Sequence, residues 1–167
     1  AWEGETPAAL PELLTWLDAE PVPDADTVFM HNDFKLDNLI LNETTLEPVA
    51  MIDWDMGTRG NPLCDLAVVL CYWTEAGDPQ AVIDMNQMPT TGHGFPTREQ
   101  AAAIYAELTG RDLSGFRYRR VLAMVRTACV FRQLYRRFTS GGTDDPRYEP
   151  FGHVANGILE FGVDVAH

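Results

Sequence analysis

Apolar residues recur at helical spacing between Ala8 and Glu20, where Leu10, Leu13, Leu14 and Leu17 share one face. Pro7 and Pro11 lie near the first turn, and Pro21 and Pro23 end the helix. Thr27-Val28-Phe29-Met30 is short, apolar and β-rich, and reads as a strand. Leu39-Ile40-Leu41 and Val49-Ala50-Met51-Ile52 read as a strand pair joined by the turn-rich connector Asn42–Pro48. After Trp54 the pattern is helical throughout. Pro62 suits the first turn of a helix over Leu63–Trp73, and a Gly-, Pro-, Met- and Thr-rich loop spans Asn86–Pro96. Thr97 with Gln100 three residues on is a capping-box pair for a helix to about Leu108, which Gly110 stops. Ser114 or Gly115 opens a long helix to about Phe138, Gly141-Gly142 ends it, and a last helix begins near Phe151. One helix, a small β-hairpin region and four or five further helices predict an α+β, mainly helical fold in a single unit over residues 1–167.

Composition narrows the function classes. The chain is 46% apolar and 22% charged, enough to build a core. No apolar run reaches the ~18–20 residues that span a bilayer. The first residues lack the basic-then-apolar pattern of a signal peptide, so a cytoplasmic protein without a membrane role is expected. Cys64, Cys71 and Cys129 form no CxxC pair and read as reduced thiols; Cys64 and Cys71, seven apart, fall near one helix face in the core. A formal charge of −13 argues against a nucleic-acid surface. The charge is uneven: Arg117, Arg119, Arg120, Arg126, Arg132, Arg136 and Arg137 fall between Leu113 and Thr143 with no acid among them. The only lysine is Lys35.

The candidate chemistry lies in His31-Asn32-Asp33-Phe34-Lys35-Leu36-Asp37-Asn38 and in Ile52-Asp53-Trp54-Asp55, which begins at the far end of the hairpin. A strand, loop and hairpin in this order bring Asp33, Asn38 and Asp53 to one end of the sheet. The Asn38 amide oxygen and the Asp53 carboxylate suit Mg²⁺, a hard cation that takes few protein oxygens alongside phosphate oxygens. Asp33 then stands beside the metal, free to accept a proton, and Lys35 can set a positive charge on a transferring phosphoryl group.

The pattern H-x-D-x-x-x-x-N followed by a strand-terminal Asp is that of protein kinases. The form here, with Gly60-Asn61-Pro62-Leu63-Cys64-Asp65-Leu66-Ala67 as a third motif, more closely resembles the aminoglycoside phosphotransferase and choline kinase-like family. Within that family it looks most like the phosphotransferase domains associated with acyl-CoA dehydrogenases. The resemblance is tight over Val28–Trp73 and looser beyond. It implies the C-terminal lobe of a protein-kinase-like phosphotransferase, with the hairpin region carrying the catalytic loop. It implies Asp33 as catalytic base, Asn38 and Asp53 as holders of Mg²⁺ bridging the phosphates of ATP, and His31 as a brace for the loop. Lys35 would contact the γ-phosphate. Asp65 would hydrogen-bond the catalytic loop from the start of its helix. Asn32 stands where glycine is commonest in the family, which bears on the loop's backbone conformation.

Several residues read more plainly. Asp37 and Asp55 are solvated loop acids, with auxiliary contacts to the metal or the loop as the alternative, and Asp55 the one placed behind the site; Trp54 is a core aromatic, and His93, His153 and His167 are surface residues. Arg126 sits in the apolar stretch Val121–Phe131, where it must snorkel out or find a carboxylate; an ion pair is the default, an arginine that attracts an anionic acceptor the sharper alternative.

No G-x-G-x-x-G and no second lysine are present to cover a nucleotide, so the chain is expected to be the C-terminal lobe alone, engineered or proteolysed, partnered by a missing N-terminal β-lobe and inactive by itself. The expected function is ATP-dependent phosphorylation of a hydroxyl on a small molecule. Two rival readings are a Mg²⁺-dependent phosphohydrolase using Asp33, Asp53 and Asp55, and a non-catalytic, degenerate kinase-like binding module. The identity of the acceptor, ATP against GTP, and the oligomeric state stay open.

Overall fold

The computed structural model describes residues 2, 6–19, 21–23 and 26–167. Helix α1 runs Ala9–Ala19 and buries Leu13 and Leu17, as the apolar spacing predicts; the predicted end at Glu20 lies outside the described residues. Strand β1, Val28–Met30, leads into the His31–Asn38 segment, whose last turn, Leu36–Asn38, is 3₁₀. Strands β2, Leu39–Leu41, and β3, Pro48–Met51, pair antiparallel with Leu39 opposite Met51.

Here the structure departs from the predicted run of helix after Trp54. A 3₁₀ turn, Trp54–Met56, is followed by strand β4, Thr58–Gly60, antiparallel to β1 with Phe29 opposite Arg59. Three residues, one of them glycine, carry no period-2 pattern, so only the partner strand reveals β4. The β region is thus two separate two-stranded sheets, and the catalytic-type segment passes from one to the other.

Helix α2, Leu63–Tyr72, carries Asp65 in its first turn, where the helix dipole favours an acid. It is apolar on nearly every side and buried accordingly. A short helix α3, Gln80–Ile83, precedes the loop. Helix α4, Arg98–Thr109, has the predicted capping box: the Gln100 N–H donates to Thr97 Oγ1 (3.1 Å), the Thr97 N–H donates to Gln100 Oε1 (2.9 Å), and Gly110 closes the helix in the left-handed region (φ 67°). Helix α5, Phe116–Thr139, and α6, Phe151–Ala166, pack most extensively on each other, with α2 against α5 and α1 against α6. Leu13, Val121, Ala128, Val154, Ala155 and Leu159 are fully buried where these helices meet. The core is therefore helical, and the two small sheets sit on its edge with much of their apolar surface exposed: Phe29 is 65% exposed and Val49 66%.

No disulfide joins the three cysteines; Cys71 is buried and Cys64 and Cys129 are half-buried. Burial pushes the Cys71 thiol up to about 11. Among the described residues no helix is long and apolar enough to cross a membrane.

Candidate functional site

Strand β1 delivers the chain to His31 and Asn32, both buried. Asp65 reaches across from the first turn of α2 and accepts the His31 N–H with Oδ2 (2.8 Å) and the Asn32 N–H with Oδ1 (2.7 Å). One carboxylate therefore satisfies two successive buried donors. Asn32 turns the backbone left-handed (φ 62°). Glycine takes that conformation freely and asparagine takes it at less cost than most residues, so Asn32 preserves the turn a glycine would make. Its side chain adds ties a glycine lacks: Nδ2 donates to the Met56 carbonyl (3.1 Å), and Oδ1 accepts from Arg126 Nη1 (3.4 Å).

Both ring nitrogens of His31 are engaged. The Asp33 N–H donates to Nδ1 (3.2 Å), so Nε2 carries the proton given to the Ile52 carbonyl (2.8 Å). The imidazole thus links the loop to the residue after β3. Trp54 covers it, with ring centroids 4.6 Å apart, stacks on Phe29 at 5.4 Å and donates from Nε1 to the Met51 carbonyl (2.9 Å). At 42% exposed, Trp54 is not the core residue its size predicts. Asp53, at φ 63°, turns the chain left-handed just before it and lays the indole across the outside of the loop.

Asp33 is the centre of the cluster. Its Oδ1 accepts from the Tyr72 hydroxyl (2.9 Å), and its Oδ2 lies 3.5 Å from Lys35 Nζ and 3.3 Å from Asn38 Nδ2. The Asp33 and Lys35 side chains are each 20% exposed, so the carboxylate is held yet open to a ligand. The Lys35 ammonium also lies 5.6 Å from the Tyr72 ring centroid. Burial, then the charge of Asp33, pushes the Tyr72 phenol up, so it remains a hydrogen-bond donor.

Asn38 is buried and gives its amide nitrogen to the Asp33 carbonyl (2.8 Å). Its Oδ1 is then the atom a cation would take. The Ile52 N–H donates to the Asn38 carbonyl (3.0 Å), so Asp53, fifteen residues from Asn38 in sequence, follows directly on the residue paired with it. The Asp53 carboxylate is exposed and has no hydrogen-bond partner among the described residues. A free carboxylate and an amide oxygen are hard donors of the kind Mg²⁺ takes. Among the described residues no three His, Cys, Asp or Glu side chains gather into a metal cluster, so a cation here would rely on few protein oxygens. Asp37 and Asp55 are exposed and make no side-chain hydrogen bond or ion pair among the described residues.

A cleft of about 670 Å³ opens beside Asp33, Lys35 and Tyr72, between α5, the start of α6 and the Met85–Gln87 turn. Met85, Val130, Phe131 and Phe151 are among its apolar walls, and Arg126 lies on it. Among the described residues Arg126 makes no ion pair, the default expected of it: it snorkels from α5 to solvent and reaches the Asn32 side chain.

Tyr72 is the member of the cluster that the motif spacing omits. A signal for it exists: it lies seven residues, two helical turns, after Asp65, and so on the same face of α2.

A model of the phosphotransferase enzyme family matches residues 2–109. Mouse acyl-CoA dehydrogenase family member 11 is 30% identical over 164 residues, covering 95% of this chain and 20% of that protein. Mouse acyl-CoA dehydrogenase family member 10 is 26% identical over 160 residues, covering 95% of this chain and 15% of that protein. Among solved structures, a Ralstonia eutropha protein provisionally named an aminoglycoside phosphotransferase superposes with a TM-score of 0.81 at 25% identity, covering 98% of this chain and 50% of its own. The chain thus spans at most a fifth of these curated relatives and half of the solved neighbour.

Proposed function

This chain belongs to the phosphotransferase enzyme family, and from that premise we propose that it is the catalytic C-terminal lobe of an ATP-dependent kinase acting on a hydroxyl group of a small molecule. Its fold is that of kinase-like phosphotransferases, mainly helical with two small antiparallel sheets. The observation that carries the proposal is the Asp33 carboxylate, fixed by Tyr72, Lys35 and Asn38 at the edge of an open cleft.

In this reading the acceptor lies in the cleft with its hydroxyl against Asp33. Asp33 orients the oxygen and takes its proton as that oxygen bonds to the γ-phosphorus of ATP; the bond to the β-phosphate oxygen breaks, leaving ADP and a phosphate ester. Lys35 sets a positive charge beside the transferring group. Asn38 and Asp53 would hold Mg²⁺, which when bound neutralises phosphate charge. His31 and Asp65 keep the loop in shape. Apolar walls with Arg126 among them favour a hydroxylated acceptor bearing an apolar or anionic part over a polycationic sugar. The remaining nucleotide contacts come from an N-terminal β-lobe. That assignment is supported by the half coverage of the solved neighbour and by the exposed apolar residues Phe29, Ile40, Val49 and Ile52 on the sheets.

The test uses the full-length protein. Mg²⁺ with ATP is expected to raise the melting temperature more than either alone. Asp33→Asn should keep that shift and lose about 10²-fold or more in phosphoryl transfer in a screen of hydroxylated acceptors. A full-length protein indifferent to Mg²⁺ and ATP rules the reading out.

A further inference from the structure

We propose that Tyr72 is a positioning residue, whose hydroxyl holds the Asp33 carboxylate facing the cleft so that α2 fixes the catalytic loop at two points. The proposal rests on the reading of Asp33 as the base. Asp65 and Tyr72 lie two turns apart on one face of α2, roughly 10 Å along its axis. Asp65 fixes the backbone of the loop at His31 and Asn32, and Tyr72 fixes the side chain of the next residue. The helix therefore spans the loop like a ruler, setting main chain at one end and reacting group at the other.

Tyr72 is suited to this by its own immobility. It is 8% exposed and packed into the helical core, so the position of its hydroxyl is set by the core rather than by solvent. A carboxylate with one face open to a ligand turns freely unless both oxygens are held. Lys35 and Asn38 occupy Oδ2, and among the described residues Tyr72 is the side chain that holds Oδ1. The Tyr72 ring also lies under the Lys35 ammonium, so one aromatic side chain orders both the group that meets the acceptor hydroxyl and the charge beside the transferring phosphoryl group. A buried tyrosine that merely satisfied its hydroxyl would show the same bond; the difference appears in the rate.

The measurement is magnesium-dependent release of phosphate from ATP by the full-length protein, with water as acceptor, together with the melting shift given by Mg²⁺ and ATP. Tyr72→Phe removes one oxygen and keeps the ring. It is expected to lower kcat about 10- to 100-fold, leave the KM for ATP within about twofold and retain the melting shift. Added to Asp33→Asn, Tyr72→Phe should change the residual rate by less than about twofold, because the group it positions is already lost. An unchanged kcat overturns the proposal. So does loss of kcat, KM and melting shift together, which marks a general loosening, or a further tenfold drop on the Asp33→Asn background. A wild-type protein that releases no phosphate and whose melting temperature is indifferent to Mg²⁺ and ATP removes the phosphotransferase reading itself; an active wild type with an equally active Tyr72→Phe variant removes the Tyr72 assignment alone.

Discussion

Asn32 joins three elements through one side chain and one backbone angle. Its N–H is held by α2, its amide nitrogen by the turn that follows Asp53, and its amide oxygen by Arg126 on α5, all at a left-handed φ of 62°. Asn32→Gly keeps the backbone conformation and loses the side-chain ties, for an expected cost of about 1 kcal/mol. Asn32→Ala loses the same ties and also forces a β-carbon into the left-handed region, so it should cost about 1–2 kcal/mol more than Asn32→Gly. Urea unfolding of the two variants checks the order; equal stabilities would mean the backbone angle relaxes on substitution. At this scale the sequence was legible where chemistry and spacing coincide. A fixed interval and a strand end mark Asp33, Asn38 and Asp53 as candidates in the sequence. Tyr72 is not marked, because an aromatic residue at the end of an apolar helix looks like core until its hydroxyl is seen on Asp33. Trp54 was misread for the converse reason: size suggests burial, but a left-handed turn places it outside.

The elements differ in how much of their formation is local. The capping box and Gly110 fix both ends of α4 through residues within a few positions of one another, so the sequence located it closely. Strand β4 depends on β1, thirty residues earlier in the register of Arg59 opposite Phe29 and beyond any local window, so no local pattern marks it. Helix α3 is equally dependent, being a single turn seated against α6. It fits there because Gly157 has no side chain: a β-carbon at that position would overlap the Ala81 β-carbon. Gly157→Ala should therefore push α3 off α6 and destabilise the protein by about 1–3 kcal/mol, despite the better helix propensity of alanine. Since α3 leads straight into the Met85–Gln87 wall of the cleft, faster hydrogen exchange over residues 80–87 should accompany the lower melting temperature. A variant as stable as the wild type would show that α6 yields without cost.

Over the whole molecule, stability and site share the same helical core, and α2 contributes to both. Cys71 lies in that core beside Tyr72, with its thiol pushed up to about 11 by burial. The unfolded chain ionises this group first, so its contribution to stability is full below about pH 9 and is lost as the pH rises towards 11. The loss amounts to about 2–3 kcal/mol. Cys71→Ala should accordingly show a shallower fall in melting temperature over that window than the wild type, and parallel curves would place the buried thiol's ionisation outside the unfolding transition. The sequence by itself determined the helical bulk, the capped α4, the order of the three motifs and the makeup of the His31–Asn38 segment, because periodicity, caps and short intervals are properties of neighbouring residues. Only the tertiary structure decided that β4 pairs with β1, that Tyr72 joins Asp65 in holding the loop from one face of α2, and that Arg126 meets the Asn32 side chain. Each of those contacts joins residues about thirty to ninety-four positions apart, and no local pattern encodes which distant surfaces the packing of the core will bring together.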